Sequence, residues 1–270
     1  IGPSAGMTGQ QSYSVAIGSS AGMTGQGEFS VAIGRWAGRF DQKTQSVAIG
    51  LGAGYNNQGT GALAIGQSAG GQNQGYYSVA IGILAGHTGQ GPASVAIGND
   101  AGQTDQGDYS VAIGLSAGLQ NQGTGAVAIG KTAGQTNQGT GAVAIGPGAG
   151  MTNQQTKSVA IGPSAGMTGQ QSYSVAIGSS AGMTGQGEFS VAIGHYAGKS
   201  NQGTNSIDIN SSGLENKVLE NSIILNASTG PIASTADSLF IKPIRSTTDS
   251  ANLAPLWYNV ITGEIVYVEP

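Results

Sequence analysis

The chain has 270 residues, of which 49 are glycine, 9 basic and 13 acidic, for a net charge of −4. It contains no cysteine, which excludes disulfides, thiolate nucleophiles and zinc–thiolate sites. Charge this sparse argues against nucleic acid, which requires a basic face. No apolar run approaches the roughly 20 residues that span a bilayer, so membrane insertion is not expected. No signal peptide is visible in a chain that starts at Ile1.

A repeat dominates the sequence. Ala-Ile-Gly returns with its isoleucine at Ile17, Ile33, Ile49, Ile65, Ile81 and Ile97, then at Ile113, Ile129, Ile145, Ile161, Ile177 and Ile193. Ile1 begins the series, and Ile209 and Leu225 extend it to fifteen positions at a constant spacing of 16. The unit reads Ser-Val-Ala-Ile-Gly-x-x-Ala-Gly-x-x-x-Gln-Gly-x-x. Residues 1–34 recur identically at 161–194, the mark of duplication within an array. A fixed short period without insertions is the signature of stacked repeats.

Each unit starts with an alternating run. Val15 and Ile17 share one face, and Ser14 and Ala16 the other. The same holds for Val31 and Ile33, Val47 and Ile49, and Val111 and Ile113. Period-two alternation with β-branched residues predicts a strand, and the glycine after it predicts a turn. A second extended stretch is expected from the Ala-Gly pair, as at Ala21-Gly22. The residue before the glutamine is always Gly, Asn or Asp, as at Gly9, Asp41 and Asn57, types that tolerate positive φ. A helix is excluded, because several glycines per unit each cost about 1 kcal/mol there.

Identical units in constant register stack most simply as coils of an all-β parallel β-solenoid, or β-roll. Equivalent residues then form columns about 4.8 Å apart. The Val and Ile columns are expected to face inward as aliphatic ladders. The glutamine column (Gln10, Gln26, Gln42, Gln58, Gln74, Gln90, Gln106 and Gln122, on to Gln202) is filled in all thirteen full repeats. Its amides are expected to stack along the axis, as Asn/Gln ladders do in cross-β assemblies; a solvent-facing column is the alternative. One narrow coil offers little interior. Three chains around a common axis would bury a second face, with the small Ala and Ser columns at the close approach. A homotrimer is therefore expected, with a free-standing monomer as the alternative.

At Ser-Val-Ala-Ile-Gly-x-x-Ala the array resembles the head repeats of trimeric autotransporter adhesins, which form parallel β-rolls from a shorter unit. The longer Ala-Ile-Gly-x-x-Ala-Gly-x-x-x-Gln-Gly form is closer to repeats in fibre proteins of phages and large DNA viruses. Three C-terminal stretches resemble the segment preceding a self-cleaving trimerisation chaperone in such fibres. They are Ser238-Leu-Phe-Ile-Lys-Pro-Ile-Arg245, Leu256-Trp-Tyr-Asn259 and Thr262-Gly-Glu-Ile-Val-Tyr267. The resemblance implies a structural fibre on a virion surface, outside the cell, as a rigid spacer or host-attachment element. It implies a host receptor or glycan as partner besides the chain itself. The alternatives are a bacterial adhesin head, for which an anchor would be expected after residue 226, and an ice-binding solenoid.

The array occupies 1–204, with net charge zero from six acids and six bases. Degenerate capping coils are expected at 205–226, where Ala-Gly and Gln are lost. A β-rich trimerisation or cap module is expected at 227–270, with a hairpin turn at Thr262-Gly263.

Candidate chemistry is thin. His87 and His195, the two histidines, fall in different columns, so no enzyme activity is expected. Asp100, Asp105 and Asp108 form an acidic group, but a calcium β-roll needs an aspartate in every repeat, so a solvated patch is expected. No cofactor or metal is implied. Threonine fills one column in eight of thirteen repeats, from Thr8 to Thr184, interrupted at Phe40, Asn56, Gln72, Gln120 and Ser200. Such arrays occur in ice-binding solenoids. Trp36, Tyr55, Tyr76 and Tyr196 are exposed aromatics that suit either a glycan or stacking at turns.

Overall fold

A computed structural model describes residues 1–242 together with the strands Leu256–Tyr258 and Ile265–Tyr267. Residues 1–242 form an all-β parallel solenoid with 16-residue coils. One sheet of fifteen strands runs from Val15–Ile17 to Leu239–Lys242, every strand pairing in parallel with the equivalent strand one repeat away. Val15 opposes Val31, Ala16 opposes Ala32, and Ile17 opposes Ile33. The stack therefore continues past residue 227. Fourteen steps of strand spacing give a rod of about 70 Å. The strands Leu256–Tyr258 and Ile265–Tyr267 pair antiparallel; the turn expected at Thr262 and Gly263 lies outside the described residues.

The second sheet is shorter and starts later in the unit than expected. Ala21 and Gly22 lie in a turn, and the extended stretch begins two residues further on, at Thr24. Six coils form true strands there, from Asn56–Gln58 to Thr136–Gln138. These are the coils whose glutamine is followed by an unbroken run of glycine, Gly59 to Gly139. A Cβ at Gly123 would sit 2.5 Å from the Thr140 backbone nitrogen of the next coil. Where Lys43, Gln155 or Gln171 takes that place, and also in the coils of Gly27 and Gly187, only isolated bridges form, although the backbone bond to the next coil persists, as from Gln155 N to Gln170 O at 2.9 Å.

The interior reverses the expected faces. Val-Ala-Ile alternates as the pattern requires, but alanine points inward. From Ala32 to Ala192 and from Ala21 to Ala197, both alanine columns have zero exposure and form one continuous core. The serine column from Ser30 to Ser206 is buried beside them, each hydroxyl donating to the carbonyl oxygen three residues earlier, as Ser30 Oγ does to Gly27 O at 2.6 Å. Valine and isoleucine point out, with Val15 41% and Ile129 36% exposed in the single chain. The physical reason is width. The coil closes with walls so near that a Cβ at Gly118 would lie 3.2 Å from the Ala112 Cβ, so nothing branched fits between them. Ala and Ser are therefore spent on the coil's own interior, not on an approach between chains.

Candidate functional site

Three features of the rod bear on function: the buried amide column, the outward aliphatic stripe and an aromatic notch. The amides come from the second wall and reach across the lumen. From Gln26 to Gln202 each Nε2 donates to the carbonyl oxygen of the Val or Leu eleven residues earlier, at 2.7–2.9 Å. At six steps the same Nε2 also donates to the next glutamine's Oε1, as Gln58 does to Gln74 and Gln122 to Gln138, both at 3.1 Å. The Oε1 atoms of Gln26, Gln42, Gln58, Gln90, Gln106 and Gln122 are buried without a partner. Gln10, in the first coil, is exposed. The glycine four residues before each glutamine leaves room for the amide: a Cβ at Gly22 would lie 2.5 Å from Gln26 Oε1. Ala-Gly-x-x-x-Gln is thus one structural unit.

The stripe holds the other ladder residues. Val15, Ile17, Val31, Ile33, Val47 and Ile49 begin it, and Val111 and Ile113 lie midway. Ile207, Ile223 and Leu239 continue the Val column, and Ile209, Leu225 and Ile241 the Ile column. Two columns about 7 Å apart over about 70 Å make an apolar band of roughly 500 Å². Bands larger than a few hundred Å² on a soluble chain mark interaction sites.

At its lower-numbered end the array carries an aromatic notch of about 400 Å³ at the corner between the two sheets. Trp36, Tyr55 and His87 line it as rings, with Leu51 beside them. Gln67, Ser68 and Gln72 supply amides and a hydroxyl. Two glycines open it. Gly71 is the one residue without a side chain in a column that runs from Met7 through Arg39, Tyr55 and His87 to Lys199. Gly52 follows Trp36 in the neighbouring column. Arg35 stacks on Trp36, its guanidinium carbon 3.9 Å from the ring centroid. Arg39 lies 4.7 Å from the Phe40 centroid and 5.5 Å from that of Tyr55, and its Nη1 donates to the Tyr55 hydroxyl at 2.7 Å. Sequence reasoning singled out Trp36 and Tyr55 but missed Gly52 and Gly71. The signal at Gly71 is a lone break in a column of long side chains, whereas Gly52 stands in a column that is most often serine and also holds Gly148.

The remaining candidates are dispersed. His87 Nδ1 meets Thr88 Oγ1 at 3.0 Å, and His195 stacks on Tyr196 at 3.9 Å between centroids. Tyr76 packs edge-on against Tyr77. Asp100 accepts hydrogen bonds from Asn99 and from Gln103. Among the described residues, no group of three or more His, Cys, Asp or Glu is placed to hold a metal ion.

One carboxylate is buried where the alanine column ends. Asp208 follows Ala192 in that column, with Ile224 and Phe240 after it. In earlier coils the glycine N–H donates to the alanine carbonyl of the next coil, as Gly182 N does to Ala197 O at 2.9 Å. Gly198 N donates instead to Asp208 Oδ2 at 2.6 Å, and Asn216 Nδ2 donates to Oδ1 at 2.7 Å. Burial raises the Asp208 pKa above the ordinary carboxylate value, against the opposing effect of those two donors. It caps the column's last free donor. No family model matches the chain, and no curated protein is significantly similar to it.

Proposed function

We propose that the chain is the shaft of a homotrimeric fibre on a virion surface, a rigid spacer or host-attachment element without catalytic activity. The observation that carries this reading is the aliphatic stripe. A single chain pairs its backbone between successive coils and fills its own lumen with Ala, Ser and Gln, yet it leaves a partly exposed band of Val and Ile along its whole length. These side chains are already about half or more buried in the single chain, so taking the rest out of water contributes at most about 1 kcal/mol each, and the band repeats at every coil. Three copies with their stripes turned to one axis remove it from solvent. Parallel alignment in register places the same residues of all three chains at each level of the rod.

The virion placement is supported by the resemblance of the Ala-Ile-Gly-x-x-Ala-Gly-x-x-x-Gln-Gly units and of the 238–267 segment to viral fibres. Sedimentation equilibrium of the native protein tests the assembly: three times the mass of one chain is expected, and a stable monomer refutes it. Immunogold labelling of purified particles tests the location. Label on projecting fibres is expected; label confined to bacterial envelopes favours the adhesin reading.

A further inference from the structure

We infer that the notch between Trp36 and His87 binds a neutral hexopyranose unit of a surface glycan. The shape comes from two missing side chains. At Gly71 the column loses its projection, and the His87 ring leans into the space, its Cδ2 2.8 Å from where a Cβ would be. The backbone does not demand glycine there: Gly71 is not among the positive-φ residues. Its neighbours in the column are Tyr55 and His87, so the gap is bordered by rings on both sides. Four successive coils contribute, a span of about 14 Å at the strand spacing.

The lining chemistry narrows the ligand. An aromatic face is electron-rich and attracts the weakly positive C–H face of a sugar ring. Trp36 and Tyr55 are held in place beforehand by Arg35 and Arg39 stacking on them and by the Arg39–Tyr55 hydrogen bond, which lowers the ordering cost of binding. Gln67 and Gln72 carry both a donor and an acceptor, and Ser68 a hydroxyl that serves as either. That set matches sugar hydroxyls, which also do both. His87 uses Nδ1 on Thr88 and has Nε2 beside Gly71. No Asp, Glu, Lys or Arg lines the notch, and the nearby Arg35 and Arg39 are engaged on Trp36 and Tyr55, so the lining itself offers neutral hydrogen-bonding groups. The arrangement is a small pocket of apolar walls with a few convergent polar groups, as ligand sites usually are.

The inference deepens the attachment reading, since a trimer would present the notch three times at one level of the fibre. Linking copies in this way raises avidity by roughly 10²–10⁴ over a weak single site.

The test uses the native full chain, saturation-transfer NMR and oligosaccharides ending in glucose, galactose or mannose, alongside sialylated counterparts. Two variants borrow residues that the same columns hold elsewhere. Gly71→Met fills the gap as Met7 and Met151 do, and Trp36→Ser removes the platform as Ser20 and Ser68 do. Transfer to at least one neutral hexoside is expected, with affinity falling about tenfold or more in each variant while the β circular dichroism melt stays unchanged. The site is refuted by absence of transfer from every neutral sugar, by binding only to sialylated forms, or by binding that survives both substitutions. A monomer that still binds sugar refutes the trimer and leaves the site standing; a trimer that binds none does the reverse.

Discussion

Replacing Gln122 by alanine tests whether the amide column holds the coil closed, because Gln120 provides a control two residues away. Gln120 is exposed on the outer surface, whereas Gln122 is 2% exposed. Gln122 Nε2 donates to Val111 O at 2.9 Å and to Gln138 Oε1 at 3.1 Å. Each such bond contributes about 1 kcal/mol net, and a buried acceptor left unpaired costs about 1–3 kcal/mol. The lumen next to Gly118 would also lose the atoms that fill it, a cavity its backbone walls cannot close. The expected loss is about 3 kcal/mol. For a chain of this size that lowers the melting temperature by about 6–12 °C. Gln120→Ala should stay within about 0.5 kcal/mol of the parent, as surface substitutions do. Thermal melts followed by far-ultraviolet circular dichroism compare the two directly. Equal melting of both variants would refute the reasoning and leave the glutamine column without a structural role.

Further consequences concern the faces and the cap. Ala112→Leu forces a branched side chain into a lumen with no free volume and should cost about 1–3 kcal/mol or more, read as a lowered denaturant midpoint. Ile113→Asp places a charge in the stripe and should shift the sedimenting mass from trimer toward monomer, because an unpaired carboxylate between chains costs several kcal/mol or must be neutralised. Lys131→Gln, in an exposed turn, should leave both mass and melting within about 0.5 kcal/mol of the parent. Asp208 has a raised pKa in the fold, so its protonated form is favoured there. Its contribution is fully present below the unfolded value of 3.8 and is lost as pH rises through the raised folded value. Melts of the parent across that window should show the decline, and Asp208→Ala should flatten it.

How much of this was legible in the sequence differs by feature. The period, the strand at Val-Ala-Ile and the parallel register follow from identical units spaced without error. Positive φ in the column before the glutamine also follows, and the structure places Asp41 at 52° and Asn57 at 55°. Which face lies inside does not follow from alternation alone. Alternation sorts Val15 with Ile17 and Ser14 with Ala16, and the usual preference for aliphatic cores then points the wrong way. The deciding quantity is the width of the lumen, which depends on two walls that a single strand does not reveal. A signal was nevertheless present: alanine never varies from Ala16 to Ala192, while Leu63 replaces valine outside without consequence. Two further positive-φ columns were hidden. Trp36, Leu84 and Tyr77 adopt 55–66° despite carrying side chains, a conformation that costs about 1–2 kcal/mol per residue. Hydrogen bonds between coils offset it, as Trp36 N donates to Ser19 O and Tyr77 N to Thr60 O, both at 2.9 Å. Composition cannot announce strain that the neighbouring coil relieves.

Thiol labelling at the stripe tests the assembly most directly, since the chain has no cysteine of its own. Single-cysteine variants Ile113→Cys and Gln120→Cys are exposed to a maleimide under native conditions and again after dissociation. In the isolated chain Gln120 is exposed and Ile113 half-buried, so the change in labelling of the Ile113→Cys variant on dissociation, rather than its difference from Gln120→Cys, reports the partner chains. The account predicts that the Gln120→Cys variant reacts at the rate of a free thiol, whereas the Ile113→Cys variant is protected until the trimer is dissociated. Equal, rapid labelling of both variants in the native protein would contradict it, leaving the aliphatic stripe facing water.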